Sequence, residues 1–225
     1  MSGMADPLGL ITTLWNARLI APMRPDRYLR MGLAMRRAGL TATVGFAAAA
    51  QRCPDRPGII DELGTLTWRQ LDDRCDALGV ALQQHDPATV AVMCRNHRGF
   101  VEALVGANRI GADVLLLNTS FAGPAMAEVI EREGADIVIY DQEFSETVDR
   151  ALRDTPEAVR ILAWTDSEAG ATEDEHATPT LEALTDAHLG QRPEPATRKS
   201  DIILLTSGTT GSPKGAKRSA GSGGA

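Results

Sequence analysis

The chain has 225 residues and a formal net charge of −7, and a compact protein of this size buries about 70% of its extended surface. The acidic balance argues against nucleic acid as a partner, because polyanion-binding domains carry a basic excess on one face. No apolar run approaches the roughly 20 residues of a transmembrane helix, and the start lacks the basic-then-apolar order of a secretory signal. Three cysteines without a CxxC pair fit a reduced compartment, so a cytoplasmic protein is expected.

Residues 1–45 are predicted to form a separate helical segment. Two amphipathic stretches, LGLITTLWNARLI and DRYLRMGLAMRRAG, are separated by Pro22 and Pro25, and six arginines precede Gly39. These helices either pack on the rest of the protein with solvated arginines, which we favour, or lie on an anionic membrane surface. A peripheral membrane contact therefore stays open.

From Gly58 onward, short apolar runs alternate with longer amphipathic runs, a pattern typical of an α/β sheet built from crossover units. Strands are predicted at GIIDE, TLT, TVAVMC, ADVLLLN, DIVIY, VRILAW and DIILL. Helices are predicted through WRQLDDRCDALGVALQQ, HRGFVEALVGANRI, AMAEVIERE and FSETVDRALRD. The near-continuous apolar character of ADVLLLN indicates burial on both faces, as in a parallel sheet covered by helices. We expect an α/β fold with a layered parallel sheet in one domain, residues 46–225.

Several element boundaries carry local signals. Thr67 followed by Gln70 predicts a capping box, Asn96 is a candidate N-cap for the next helix, and Gly111 is a candidate helix end. The stretches TDSEAGATEDEHATPT and GQRPEPATRKS are polar and lack aliphatic periodicity, so both are predicted to be irregular connections.

A glycine-rich decapeptide, TSGTTGSPKG, follows the last predicted strand and runs from Thr206 to Gly215. Its glycines let backbone N–H groups approach an anion without an intervening side chain. Its hydroxyl groups are further donors, and Lys214 adds a positive charge on a long stem, a typical contact for a phosphate oxygen. The stretch predicts a phosphate-binding loop, against the alternative of a Gly/Ser/Thr linker that binds nothing.

The loop differs from the Walker A loop, G-x-x-x-x-G-K-[ST], whose lysine directly follows glycine and whose Ser or Thr follows the lysine to hold magnesium. Here Pro213 precedes Lys214, Gly215 follows it, and no amphipathic helix begins afterwards. The sequence therefore disfavours P-loop kinase chemistry.

All ten residues of TSGTTGSPKG match the T-S-G-T-T-G-x-P-K-G signature of the AMP-forming acyl-adenylate superfamily, which the chain resembles. DELGTLTWRQLDDRCDALGVAL is similar to a hairpin and helix near the start of these enzymes. The stretch from VAVMCRNHRGF to IVIYDQEF is similar to the next strand and helix pairs of bacterial fatty-acid-type CoA ligases. The following AKRSAGSGGA lacks the apolar strand that often comes after the loop in this family, so the sequence does not predict the far side of a hairpin.

The resemblance implies a two-step reaction. A carboxylate attacks the α-phosphate of ATP to give an acyl-adenylate and pyrophosphate, and the thiol of coenzyme A then displaces AMP. ATP, Mg2+ and CoA are the implied cofactors, and ATP, a fatty acid and CoA are the implied partners. The positions that match as contacts to the ATP phosphates are Thr206, Ser207, Gly208, Thr209, Thr210, Gly211 and Lys214. No catalytic residue and no metal ligand is assigned within the chain.

Members of this family carry the acyl pocket, the adenine pocket, the magnesium-holding glutamate and the adenylation lysine after this loop. The sequence is therefore expected to be the first portion of a longer AMP-forming fatty acyl-CoA ligase, truncated after the phosphate loop and inactive alone. Two alternatives stay open: a non-catalytic truncated remnant with at most weak nucleotide binding, and a fragment of a ligase that loads a carrier protein.

The four histidines, His85, His97, His176 and His188, are scattered without an i,i+4 pair, so no metal site is predicted. His97 lies beside two arginines, where a nucleotide phosphate would be attracted, but a solvated helix start is the preferred interpretation. Asn118, Thr119 and Ser120 follow a strand predicted to be buried, at the edge where α/β folds place ligands. They are left out of the predicted site because any polar loop would look the same.

Overall fold

The computed structural model describes residues 25–38, 41, 43–121, 123–165, 178–206 and 214–218. The helices in those residues are α1 (Pro25–Ala38), α2 (Val44–Arg52), α3 (Trp68–Gln83), α4 (Arg98–Arg109), α5 (Gly123–Glu133), α6 (Ser145–Ala151) and α7 (Leu181–Ala187), with a short 3-10 turn at Gln142–Phe144. The strands are β1 (Pro57–Asp61), β2 (Gly64–Thr67), β3 (Thr89–Met93), β4 (Asp113–Leu116), β5 (Ile137–Asp141), β6 (Val159–Trp164), β7 (Ile202–Thr206) and β8 (Lys214–Arg218).

Strands β3 to β7 form a parallel sheet in the order β6-β5-β3-β4-β7, and β8 extends it antiparallel to β7. Strands β1 and β2 form a separate antiparallel hairpin. Every residue of β3 and β5 is buried, as expected for parallel strands covered on both faces. The predicted α/β fold with a parallel sheet is confirmed.

Two layers of helices enclose this sheet. On one face, α5 and α6 pack on the strands through apolar side chains that include Met126, Ile130, Val148 and Leu115. On the other face, α3, α4 and α7 pack through Leu78, Ala103, Leu181 and Val114. The helix that follows β3 therefore lies in one layer, and the helix that follows β5 lies in the other.

The local signals at helix starts were informative in one case and misleading in another. The capping box is confirmed, because the Gln70 backbone N–H donates to Thr67 Oγ1 and the Gln70 side chain accepts from the Thr67 N–H. Asn96 is not the N-cap of α4, so that prediction was wrong. His97 takes this place, with Nδ1 accepting the Gly99 N–H at 3.1 Å. The imidazole nitrogen satisfies the free N–H that a cap oxygen would otherwise accept.

Helix α1 packs against α2, in agreement with the favoured interpretation of the basic N-terminal segment. The Arg27 guanidinium contributes by donating to the Arg52 carbonyl at 3.2 Å. The other predicted helix, LGLITTLWNARLI, lies outside the described residues. None of the described helices combines the length and apolar character needed to cross a membrane.

Ion pairs of two buried arginines join the helices of one layer to each other and to the hairpin. Arg74 on α3 binds Glu102 on α4 at 2.6 Å and Glu182 on α7 at 2.5 Å. Arg98 at the start of α4 binds Asp61 at the end of β1. Each guanidinium satisfies carboxylates from a separate segment, which removes the cost of burying an unpaired charge.

Candidate nucleotide-binding site

Strand β7 carries the predicted phosphate loop and lies inside the sheet, between β4 and β8. It pairs with β4 in parallel register, with Leu116 opposite Leu204. It pairs with β8 in antiparallel register, with Thr206 opposite Lys214. The sequence did not predict β8, and the segment KGAKR forms a strand through backbone pairing without an apolar pattern. The loop is therefore a hairpin connection whose two ends are joined by ladder hydrogen bonds.

Five of the seven predicted phosphate contacts, Ser207, Gly208, Thr209, Thr210 and Gly211, lie outside the described residues. The remaining two, Thr206 and Lys214, form the register pair that closes the hairpin. The structure thus brings the two ends of the motif together across seven intervening residues. The assignment of all seven residues to a phosphate site stays a prediction.

The turn after β4 lies beside the entry to this loop. Since Leu116 pairs with Leu204, Asn118 and Thr206 are each two residues further along neighbouring parallel strands. The turn has a fixed shape, because Asn118 Oδ1 accepts the Ser120 N–H at 2.9 Å and the Asn118 carbonyl accepts the Phe121 N–H at 3.0 Å. A polar, exposed turn therefore flanks the end of β7 at the carboxyl edge of the sheet, where α/β folds bind ligands.

The start of β7 is anchored by hydrogen bonds to the start of β4. Arg198 Nε donates to the Gly111 carbonyl at 2.7 Å, and the Asp201 N–H donates to Asp113 Oδ1 at 2.9 Å. Between them, buried Ser200 accepts from the Asn108 side chain at 2.7 Å and donates to the Ala112 carbonyl at 2.6 Å. These contacts fix the position of β7 before the chain reaches the loop.

A second polar cluster lies at the same edge, between the ends of β3 and β5. Because the helices after these strands lie in opposite layers, this is the topological switch point, where doubly wound sheets bind ligands. Here the chain fills that space itself. His97 Nε2 donates to Asp141 Oδ1 at 2.9 Å, Asp141 Oδ2 accepts the Arg95 N–H at 2.6 Å, and the imidazole packs on Trp164 with ring centroids 4.6 Å apart.

The hydrogen bonds of His97 assign its tautomer. Nδ1 accepts from the Gly99 N–H, so Nε2 carries the proton that it shares with Asp141. His97 is only 5% exposed, so the prediction of a solvated helix start was wrong. Its neighbouring arginines are engaged as well: Arg95 binds Glu143 at 2.7 Å, and Arg98 binds Asp61 at 2.6 Å.

Cys94, His97 and Asp141 offer ligand atoms that lie within 4.8 Å of one another. Their chemistry does not fit a metal site, because both imidazole nitrogens are already used in hydrogen bonds. Burial and the adjacent Asp141 raise the pKa of the Cys94 thiol well above its usual range, which disfavours the thiolate that a metal would need. The hydrogen bonds of His97 and Asp141 hold the ends of β3 and β5 and the start of α4 together.

Comparisons with known proteins decide the family. Residues 46–222 match the family model described as "AMP-binding enzyme". The chain belongs to this family. It is 26% identical over 182 residues to "Fatty acid--[acyl-carrier-protein] ligase ScoC" of Streptomyces coeruleorubidus, covering 78% of this chain and 32% of that protein. It is 28% identical over 176 residues to "Medium/long-chain-fatty-acid--CoA/3-oxocholest-4-en-26-oate--CoA ligase" of Mycobacterium tuberculosis H37Rv, covering 74% of this chain and 31% of that protein.

Solved structures show the same fold. The anthranilate CoA ligase AuaEII in complex with anthranoyl-AMP superposes with a TM-score of 0.69 at 17% identity, over 80% of this chain and 35% of that one. This member of the AMP-binding enzyme family therefore has the N-terminal fold of acyl-adenylate-forming ligases. It spans about a third or less of the length of the curated relatives it matches.

Proposed function

We propose that this AMP-binding chain is the part of an AMP-forming fatty acyl-CoA ligase that holds the triphosphate of ATP. The observation that carries the proposal is the pairing of Thr206 with Lys214, which brings the first residue and the lysine of the TSGTTGSPKG motif together at the carboxyl end of β7. Fatty-acid ligases among the relatives support the acyl substrate class. A cytoplasmic location is part of the same proposal.

The chemical role of the loop follows from charge. Pyrophosphate leaves the α-phosphate readily only when donors meet its developing negative charge. Amide N–H groups, hydroxyls and the Lys214 ammonium are such donors. Magnesium would arrive with ATP and neutralise part of the same charge, and no residue of this chain is assigned to it. In this proposal the chain binds and orients the leaving phosphates, while the acyl and adenine pockets belong to the two thirds of the relatives that it does not match.

The acyl acceptor has two candidates. A CoA thiol is favoured by the CoA ligases among the relatives, and a carrier-protein thiol is favoured by the relative named as a fatty acid and acyl-carrier-protein ligase. Both share the adenylation step, so the proposed role of the loop is the same for either acceptor. Supplying a complete ligase that contains this sequence with labelled fatty acid, ATP, CoA and a carrier protein would distinguish them by the thioester formed.

The experiment that tests the nucleotide site is a titration of the 225-residue chain with MgATP, MgADP and AMP, followed by calorimetry. We expect ATP to bind more tightly than AMP, because the loop contacts the β- and γ-phosphates that AMP lacks. One charged hydrogen bond contributes about 1.5–3 kcal/mol, so Lys214→Ala is expected to weaken ATP binding by one to two orders of magnitude and to leave AMP binding unchanged.

Lys217→Ala is the matched control, since Lys217 lies in the same strand but outside the motif. An equal loss in the two variants would indicate a general charge effect. Equal affinity for ATP and AMP would contradict a triphosphate loop. No binding of any nucleotide would favour the remnant alternative.

A further inference from the structure

Strand β7 has fewer buried residues than the strands at the centre of the sheet. On its inner side it pairs with β4, from Val114 opposite Ile202 to Leu116 opposite Leu204. On its outer side it pairs with β8, which ends the sheet as described. Ile203 is buried and its two neighbours are partly exposed, whereas every residue of β3 and β5 is buried. A segment of this kind can open locally while the rest of the domain stays folded.

One buried hydrogen bond joins the start of β7 to helix α4. Asn108, in the last turn of α4, is 2% exposed and donates through Nδ2 to Ser200 Oγ at 2.7 Å. Ser200 is 4% exposed, and its hydroxyl donates to the Ala112 carbonyl at 2.6 Å. Thr43 Oγ1 donates to Asn108 Oδ1, which orients the amide so that Nδ2 faces Ser200. Because both side chains are short, this bond forms only when β7 lies in its observed position.

The other side-chain hydrogen bonds at this end of β7 involve groups that water can reach. Arg198, which donates to a carbonyl after α4, is exposed, and Asp113, which accepts the Asp201 N–H, is partly exposed. A broken bond between such groups is replaced by bonds to water, but a buried amide that loses its acceptor has no replacement. Of these contacts, the bond between Asn108 and Ser200 is therefore the one whose loss costs most.

We propose that the β7–β8 hairpin opens from the sheet as one local unit, and that Asn108 is the positioning residue that holds it closed through Ser200. The inference rests on the proposed function in one respect: the predicted phosphate loop connects these two strands, so its ends are in place only when β7 is paired with β4. Nucleotide binding and closure of the hairpin are then coupled, and the coupling is reciprocal. MgATP bound at the loop stabilises the closed hairpin.

Amide hydrogen exchange of the 225-residue chain, followed by NMR, tests the opening. In the wild type we expect the amides of β7 to exchange faster than those of β3 and β5, because they need only the local opening. Ser200→Ala is expected to speed exchange in β7 about tenfold, since the buried Asn108 amide loses its acceptor. Asn108→Ala should act in the same way. The double variant should not add a further tenfold, because all three variants remove the same bond.

Ile161→Ala in β6 is the matched control. Ile161 is 1% exposed and lies in a strand that β5, β3 and β4 separate from β7. Its truncation lowers the stability of the whole domain, so exchange in β3 and β5 should become faster while the local opening of β7 keeps its rate. The proposal is overturned if Ile161→Ala speeds exchange in β7 as much as in β3, or if Ser200→Ala leaves the β7 rates unchanged.

Exchange in the presence of nucleotide tests the coupling. At about a hundred times its dissociation constant, MgATP is expected to slow exchange in β7 about a hundredfold. MgATP that binds by calorimetry without slowing exchange in β7 would overturn the coupling and leave the proposed function standing. A chain that binds no MgATP would instead contradict the proposed function. The exchange rates of Ser200→Ala and Ile161→Ala would still decide whether the hairpin opens as a unit that Asn108 holds closed.

Discussion

Arg98 binds Asp61 with its side chain and its backbone together. Its Nη2 and Nε donate to Asp61 Oδ1 at 2.6 Å and to Oδ2 at 2.9 Å, while its backbone N–H also donates to Oδ2 at 2.9 Å. The Asp61 side chain is 3% exposed. One carboxylate thus fastens the β1–β2 hairpin to the first turn of α4 and accepts one of the free N–H groups at that helix start, that of Arg98.

Asp61→Asn is expected to destabilise the chain by about 1.5–3 kcal/mol at pH 7, since charged hydrogen bonds to Arg98 are lost. The hydrogen bonds from Arg98 hold the pKa of Asp61 below its ordinary value of 3.8. Stability from this pair is therefore complete above that value and is lost as the pH falls through the lower pKa of the folded state. Urea unfolding at pH 7 and near pH 3 should show a difference between wild type and variant that shrinks in acid.

Arg74 binds two glutamates that differ in solvent exposure. Glu102 is fully buried, whereas the Glu182 side chain is 56% exposed. Glu102→Gln leaves the buried Arg74 charge short of its main partner and is expected to cost about 3–5 kcal/mol. Glu182→Gln is expected to cost at most about 1 kcal/mol, because water screens that contact. Thermal unfolding of the two variants in parallel checks this order, and equal losses would contradict it.

Gly111 and Gly134 both have positive φ angles, +84° and +63°, but their surroundings differ. A Cβ at Gly111 would lie 2.8 Å from the Arg198 carbonyl oxygen, whereas a Cβ at Gly134 would meet nothing within 4 Å. Gly134→Ala should therefore cost only the strain of the left-handed backbone, about 1 kcal/mol.

Gly111→Ala should cost about 2–4 kcal/mol, because the clash with the segment that leads into β7 is added to that strain. Denaturant unfolding measures both changes. If the two alanine variants lost the same stability, the close approach of Arg198 to Gly111 would have no energetic weight.

Lys214→Ala is expected to slow adenylation in a complete ligase that contains this sequence, by one to two orders of magnitude if the lysine acts on the leaving phosphates. The affinity for the acyl substrate should hardly change. Pyrophosphate-release kinetics with Lys217→Ala as the control provide the measurement. Lys214 would be removed from the proposed site if the adenylation rate stayed at the wild-type value.

Signals within a few residues of each other predicted the local structure best. The capping box needs only Thr67 and Gln70, and both of its hydrogen bonds form. The hydrogen bond between His97 and Asp141 joins residues 44 apart, and no spacing in the sequence indicates that pair. The two residues meet because β3 and β5 are neighbours in the sheet.

Helices α2 and α7 and strand β8 were not predicted from the sequence, and the signals of the last two were too short or too weak. Helix α7 has seven residues, and its signals were the Thr180 N-cap and the buried Leu181 and Thr185 one turn apart. Strand β8 has the sequence KGAKR, which contains no apolar alternation. Tertiary contacts stabilise both elements: α7 packs on α3, and β8 pairs with β7.

The pairing of β7 with β4 also has a consequence for the order of folding. The Asp201 N–H and the Asp113 carboxylate, which begin that pairing, are 88 residues apart in the chain. Closing so long a segment costs entropy that local contacts do not repay, so such pairings form late. During synthesis, β3 to β6 can pair before β7 leaves the ribosome, so Thr206, where the proposed phosphate loop begins, is positioned only after the other parallel strands that the structure describes.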